Sequence, residues 1–134
     1  VANLNLEMLG RPLPGNEGKA WVTGAELSDF ADVAGAALGR AGIERIDFPP
    51  ARGLFWASDN AAFVGHGIVA HSISAGSLHA DYHQPSDEHG RIDVPHMTRV
   101  VLGLEEVVLE LANRPSKLTY NEAGQAAVER ARRR

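Results

Sequence analysis

Cysteine is absent from the sequence, which removes disulfides, thiolate catalysis and thiolate metal ligands together. Any metal would have to sit on histidine and carboxylate side chains. A positive charge balance is also missing: the formal net charge is -4, so no global field is available to condense on phosphate backbones or anionic lipid. Nucleic acid is therefore not expected as a partner. No apolar run approaches the roughly 20 residues needed to cross a bilayer, and no charged-then-apolar leader opens the chain. Low-complexity tracts and internal repeats are absent too.

What is present reads as one soluble globular unit. The 134 residues are 44% hydrophobic and 22% charged, enough to bury a real core but too few for two ordinary domains. The densest basic run, Arg130-Ala131-Arg132-Arg133-Arg134, reads as a solvated helix end, where cations face the negative end of the dipole. The chain begins at Val1 and enters an apolar stretch at once. A cut inside a domain, processing of a precursor, or truncation would each give that beginning.

Along the chain, Leu4, Leu6 and Met8 alternate with Asn3, Asn5 and Glu7, the period of a strand that puts Glu7 near its C-terminal end. Residues 11 to 18 form a Pro/Gly loop, and Lys19 to Val22 a short strand. Thr23-Gly24-Ala25-Glu26 fits a capping box opening a helix through Leu27, Phe30, Ala31, Ala34 and Leu38, with Gly39 and Gly42 at its end. Ile43 to Phe48 is a predicted strand closed by Pro49-Pro50, Ser58 to Val64 a short helix, and Ile68 to Ser74 another strand. Residues 75 to 92 show little periodicity and read as a long functional loop. Asp93 should then cap the strongest helix, with Val94, Met97, Val100, Val101, Leu104, Val107, Val108 and Leu111 as its core face and Pro115 as its stop. A last helix is expected from about Asn121. Strands alternating with helices predict an α/β fold, a layered α-β-α sandwich with a mostly parallel or mixed sheet.

Six histidines are the residues to weigh for chemistry. His66 and His89 neighbour glycines and read as structural or solvated. His96 falls in the first turn of the long helix, where a positive charge opposes the dipole, so a neutral surface role is expected. His71 alternates with Ile73 in a strand, where a hydrogen-bonded core histidine is the default. His79 and His83 differ, because both sit in the irregular loop with Asp81, Tyr82, Ser86, Asp87 and Glu88. That cluster is the candidate site.

Three segments in order resemble one family: Ser58-Asp59-Asn60-Ala61-Ala62-Phe63, Gly67-Ile68-Val69, and Asp81-Tyr82-His83-Gln84-Pro85-Ser86-Asp87. Ile92-Asp93, His96-Met97, Arg99-Val100, Leu111-Ala112-Asn113 and the opening Asn5-Leu6-Glu7-Met8-Leu9-Gly10-Arg11 are similar as well. Together they resemble the two-zinc aminopeptidases, zinc exopeptidases related to glutamate carboxypeptidase and glutaminyl cyclase, over about residues 3 to 114. Residues 115 to 134 would be a C-terminal extension. The resemblance implies His83 as the last histidine ligand, Tyr82 as the donor to the oxyanion, and Glu7 as a carboxylate ligand where most relatives carry Asp. It implies that Asp59 and Asp87 orient the ligating groups or order the loop.

The family's earlier elements have no counterpart here: the first His, the bridging Asp, and the Glu-Glu pair that supplies general base and ligand. The resemblance therefore implies a C-terminal half-domain whose partners are a peptide substrate and the missing N-terminal part, with two zincs per complete site and no activity in the isolated chain. Exposed edges would favour a homodimer or higher oligomer. Relatives are often secreted or periplasmic. A non-catalytic binding or scaffold module that has lost its metals, cyclisation of N-terminal glutamine, and removal of a C-terminal residue are the competing functions.

Overall fold

The alternation of the opening segment folds as strand β1, Ala2–Glu7, and the short apolar run after the Pro/Gly loop as β2, Lys19–Val22. Helix α1 spans Phe30–Arg40 and is followed by a two-residue strand β3, Glu44–Arg45. A short α2, Asn60–Val64, precedes β4, Val69–Ser74. The long helix α3 covers Val94–Asn113 and α4 covers Glu122–Arg132. This computed structural model describes residues 1–76 and 78–133, so Ser77 of the loop and Arg134 of the basic run lie outside the described residues.

The sheet order is β1-β4-β2-β3, with β1 parallel to β4, β4 antiparallel to β2 and β2 parallel to β3. Every residue of β4 is buried, as a central strand covered on both faces requires. Its Val69 and Ile73 join the cluster built on Phe30, Ala34 and Leu38 of α1 and Val100, Leu104 and Val107 of α3. Ala70, pointing the other way, joins Phe55, Val64 of α2 and Val128 of α4. Helices thus cover both faces, the α-β-α layering expected from the sequence, and each large apolar side chain so buried contributes about 1.5–3 kcal/mol.

Four local expectations are corrected. Thr23 does not cap a helix: it continues the pairing with β4, its N–H donating to Ser72 O at 3.0 Å and its Oγ1 accepting from Ser72 N at 3.1 Å. With that hydroxyl taken, the chain turns through Gly24, and α1 opens only at Phe30, whose N–H donates to Ser28 Oγ at 3.1 Å. The predicted strand at Ile43 to Phe48 shortens to Glu44–Arg45, with Ile46 N still donating to Ala20 O at 2.8 Å before a short 3-10 helix starts at Pro49. On α3 the apolar arc is wider than its contact face. Val100, Leu104 and Val107 are buried, but Val94, Val101 and Val108 are 63%, 48% and 51% exposed. Gly103 sets that rotation, since a Cβ there would come within 3.0 Å of Ile43 and 3.2 Å of Leu38, so the helix approaches α1 along the His96–Val100–Gly103–Val107 row. His96, the fourth correction, lies on this row and has 0% exposure rather than a surface position.

Asp93 caps α3 as expected, accepting from His96 N, and Asn121, about where the last helix is expected to begin, caps α4 by accepting from Gly124 N. Tyr120, just ahead of α4, donates its hydroxyl to Ile68 O at 2.9 Å and accepts from Ala70 N at 3.2 Å. That docking stabilises a helix whose own apolar stripe is weak.

Candidate functional site

Because β1 and β4 run parallel in the register Glu7↔Ser74, both chains leave the sheet at the same, carboxyl edge. Crevices outside the carboxyl ends of strands are where α/β sheets place their ligands. A cleft of about 500 Å³ lies there, lined by Met8 to Arg11 from the β1 exit, by Gly76, His79, Tyr82, His83 and residues 87 to 89 from the loop, and by Ile92 and Met97. The β1 exit bends sharply, with Met8 at φ 53°. A Cβ on Gly76 would fall 2.1 Å from the Met8 carbonyl oxygen, so the close passage of the two exits requires glycine there.

The loop is pinned at both ends. His96 Nε2 donates to Ala75 O at 2.8 Å, and Asp93 N donates to Gly10 O at 2.8 Å. Between the pins the backbone folds into successive turns, Tyr82 N to His79 O, Gln84 N to Asp81 O and Asp87 N to Gln84 O. Tyr82 and His83 stack with ring centroids 3.9 Å apart, and His83 adopts φ 59°. A non-glycine residue in the left-handed region carries a backbone cost that its surroundings must offset.

Charged contacts hold the two ends of this tip. Asp81 accepts from Ser86 Oγ at 2.6 Å, from Arg11 Nη2 at 2.8 Å and from Arg91 Nη1 at 3.1 Å. The Ser86 hydroxyl, then the Arg11 guanidinium, keep the Asp81 carboxyl down at about 2. Asp87 accepts from Arg11 Nη1 at 2.6 Å, and His79 Nε2 lies 3.9 Å from the same oxygen. His79 Nδ1 is buried with no hydrogen-bond partner among the described residues.

Tyr82, His83 and Asp87 therefore share one cleft, the first two exposed enough to meet a ligand. Glu7 stands at the end of β1, one residue before the cleft lining begins, and both of its carboxylate oxygens accept from Ser58 Oγ, at 2.6 and 2.9 Å. Asp59 is exposed at the start of α2 and makes no capping hydrogen bond. The residue that meets Glu7 is its neighbour Ser58, which the family-like Ser-Asp-Asn segment contained but which residue type alone did not single out. Beneath it a buried polar chain ties the layers together: Asn5 Nδ2 donates to Ser72 Oγ, Ser72 Oγ to Asn60 Oδ1, and Asn60 Nδ2 to Phe55 O.

The remaining histidines divide cleanly. His71 is buried as expected, Nδ1 2.8 Å from Thr23 O and Nε2 2.7 Å from Ser28 Oγ, and it stacks on Phe30 at 4.8 Å. A carbonyl only accepts, so Nδ1 carries the proton and the Ser28 hydroxyl donates to Nε2. Burial lowers its pKa from the ordinary 6.5. His96 is the mirror case: Nδ1 accepts from Gly18 N at 3.0 Å while Nε2 donates to Ala75 O. His66 is exposed, and His89 is exposed in the cleft lining.

Among the described residues, no group of three or more His, Asp or Glu side chains is placed to hold a metal ion. The two ligands that the resemblance implies, His83 and Glu7, are an imidazole and a carboxylate, donor types a zinc site uses, but two donors fall short of the usual three.

A mixed sheet covered by helices on both faces, with a histidine-bearing loop at the carboxyl edge of its parallel strands, defines a layered α/β protein with its candidate site at that edge. The chain matches the family model of peptidase family M28 over residues 1–108 and belongs to that family. No curated protein and no solved structure matches it.

Proposed function

We propose that this chain supplies one half of the site of a zinc-dependent aminopeptidase that removes N-terminal residues from peptides. The observation that carries the reading is the register Glu7↔Ser74, which brings the strand-end carboxylate and the Tyr82-His83 loop out at one edge of the sheet. In this assignment His83 and Glu7 are zinc ligands, and Ser58, with one hydroxyl proton to give, orients the Glu7 carboxylate while leaving other lone pairs free. Tyr82 donates its hydroxyl to the oxygen that gains negative charge as the scissile carbonyl is attacked. Asp87 orders the loop by accepting from Arg11. Zinc, when bound, polarises the carbonyl and lowers the pKa of the attacking water. The general base and the other ligands come from outside these 134 residues, so residues 1–134 alone are expected to be inactive.

The second reading, a binding module of the same fold without metals, is favoured by one observation: no trio of donors forms among the described residues. One assay separates the two. In the protein carrying its preceding elements, hydrolysis of a chromogenic aminoacyl substrate should require zinc and be abolished by His83→Ala. Turnover unchanged by that substitution removes His83 from the site, and wild-type protein with neither zinc binding nor turnover leaves the binding module.

A further inference from the structure

The two carboxylates that receive Arg11 flank Tyr82 and His83 in the chain. Its guanidinium bridges them, Nη2 to Asp81 Oδ2 at 2.8 Å and Nη1 to Asp87 Oδ1 at 2.6 Å. With side-chain exposures of 22%, 17% and 38% for Arg11, Asp81 and Asp87, this is not a loose surface pair. Arg11 belongs to the β1 exit, four residues beyond Glu7, and that exit is itself fastened to the start of α3 through Gly10 O. The loop is fixed at Ala75 and Asp93, yet its functional tip lies well inside that span, where end pins alone leave many conformations open. A stacked Tyr82 and a left-handed His83 need an external hold at the tip.

We infer that Arg11 is a positioning residue: it clamps the loop at Asp81 and Asp87 and so sets where Tyr82 and His83 stand relative to Glu7. The inference rests on the reading of those three residues as site groups, but the clamp can be measured apart from it. A lysine at this place is a point charge and reaches one carboxylate, whereas the planar fork reaches two with directed hydrogen bonds. Arg91 reaches only Asp81, so it cannot replace the bridge to Asp87.

The test uses the protein with its preceding elements and the variants Arg11→Ala, Arg11→Lys, Asp87→Asn and Arg11→Ala/Asp87→Asn. Amide exchange across residues 79 to 88 reads the clamp directly. It should speed up at least 10-fold in Arg11→Ala and by less in Arg11→Lys, while exchange in β4 stays unchanged. With the zinc enzyme in hand, Arg11→Ala should lower kcat about 100-fold, the scale of a misplacement near 1 Å, and weaken zinc binding 10- to 100-fold. Arg11→Lys should recover part of both. The double variant should lose no more than Arg11→Ala alone, because the two side chains act as one device. Unchanged exchange in Arg11→Ala overturns the clamp, and so do losses that simply add in the double variant. A wild-type protein without zinc-dependent turnover sinks the peptidase reading alone, since the exchange rates still decide the clamp. If Arg11→Ala fails to fold, Arg11→Lys and Asp87→Asn carry the same comparison.

Discussion

The core and the cleft use histidine in opposite ways. In the core, His71 and His96 have both ring nitrogens engaged, to Ser28 and Thr23 in one case and to Gly18 and Ala75 in the other. Each has a fixed donor and a fixed acceptor, so each behaves as a rigid connector between loops and strands. In the cleft, His79 leaves Nδ1 without a partner among the described residues, and His83 is exposed with its ring stacked on Tyr82. A ring with every lone pair occupied by the protein has nothing to offer a ligand. An exposed ring held by stacking and backbone geometry, as His83 is, keeps an accessible edge.

The largest effect that would break this comparison is on stability. Replacing His71 by Leu keeps an apolar shape between Phe30, Phe55 and Tyr120 but takes the partner from the Thr23 carbonyl and from the Ser28 O–H donor in a dry site. Leaving buried polar groups unpaired costs about 1–3 kcal/mol each, so a loss of about 3 kcal/mol is expected in urea melts. His83→Ala should move the same midpoint by less than about 0.5 kcal/mol, as exposed positions do. Equal costs at the two sites would erase the distinction between connector and open ring.

A sharper version concerns the open side alone. Tyr82→Phe preserves the stack on His83 and removes only the hydroxyl. In the complete zinc enzyme kcat should fall about 100-fold, the scale of a single oxyanion donor, with urea stability unchanged. A change confined to KM would mean that the hydroxyl binds substrate without meeting the developing charge, and Tyr82 would lose its assigned role.

How far the sequence reveals this contrast depends on the range of the forces involved. Period-two alternation at Leu4 and Leu6, the capping position of Asp93, and the aperiodic stretch after Ser74 are local signals, and all three became the expected β1, helix start and loop. Thr23 misled because a hydroxyl that fits a capping box fits equally well onto a neighbouring strand, and only the pairing with Ser72 decides between them. The α3 face misled for a related reason: Val94, Val101 and Val108 share the apolar arc with Val100 and Leu104, and Gly103 against Leu38 and Ile43 selects which part is buried. His96 moved inward with that rotation. At the cleft, the residue types at Tyr82, His83 and Asp87 were legible, whereas the contacts of Ser58 with Glu7 and of Arg11 with Asp81 and Asp87 join positions more than 50 residues apart. No spacing rule reaches that far.

The smallest effect, and the finest test of the two regions, is their order of failure in acid. Burial first of all lowers the pKa of His71 from 6.5, so the folded state resists protonation that the unfolded chain accepts. Its contribution is complete above about pH 6.5 and declines as the pH falls below that value. Asp81 is the opposite chemical case with the same direction. Its pKa is lowered from 3.8 to about 2 by Ser86 and Arg11, so its contribution is present above pH 3.8 and disappears as the pH falls toward 2. Urea midpoints should therefore begin to drop below pH 6.5 while the guanidinium signals of Arg11 in NMR spectra of the folded protein stay constant, and those signals should shift only as the pH falls toward 2. His71→Leu should flatten the upper part of the stability curve without touching the lower. Arg11 signals that follow the upper window instead would show the loop clamp and the buried imidazole to be one cooperative unit, and the division between connector and open ring would be one of position rather than of energy.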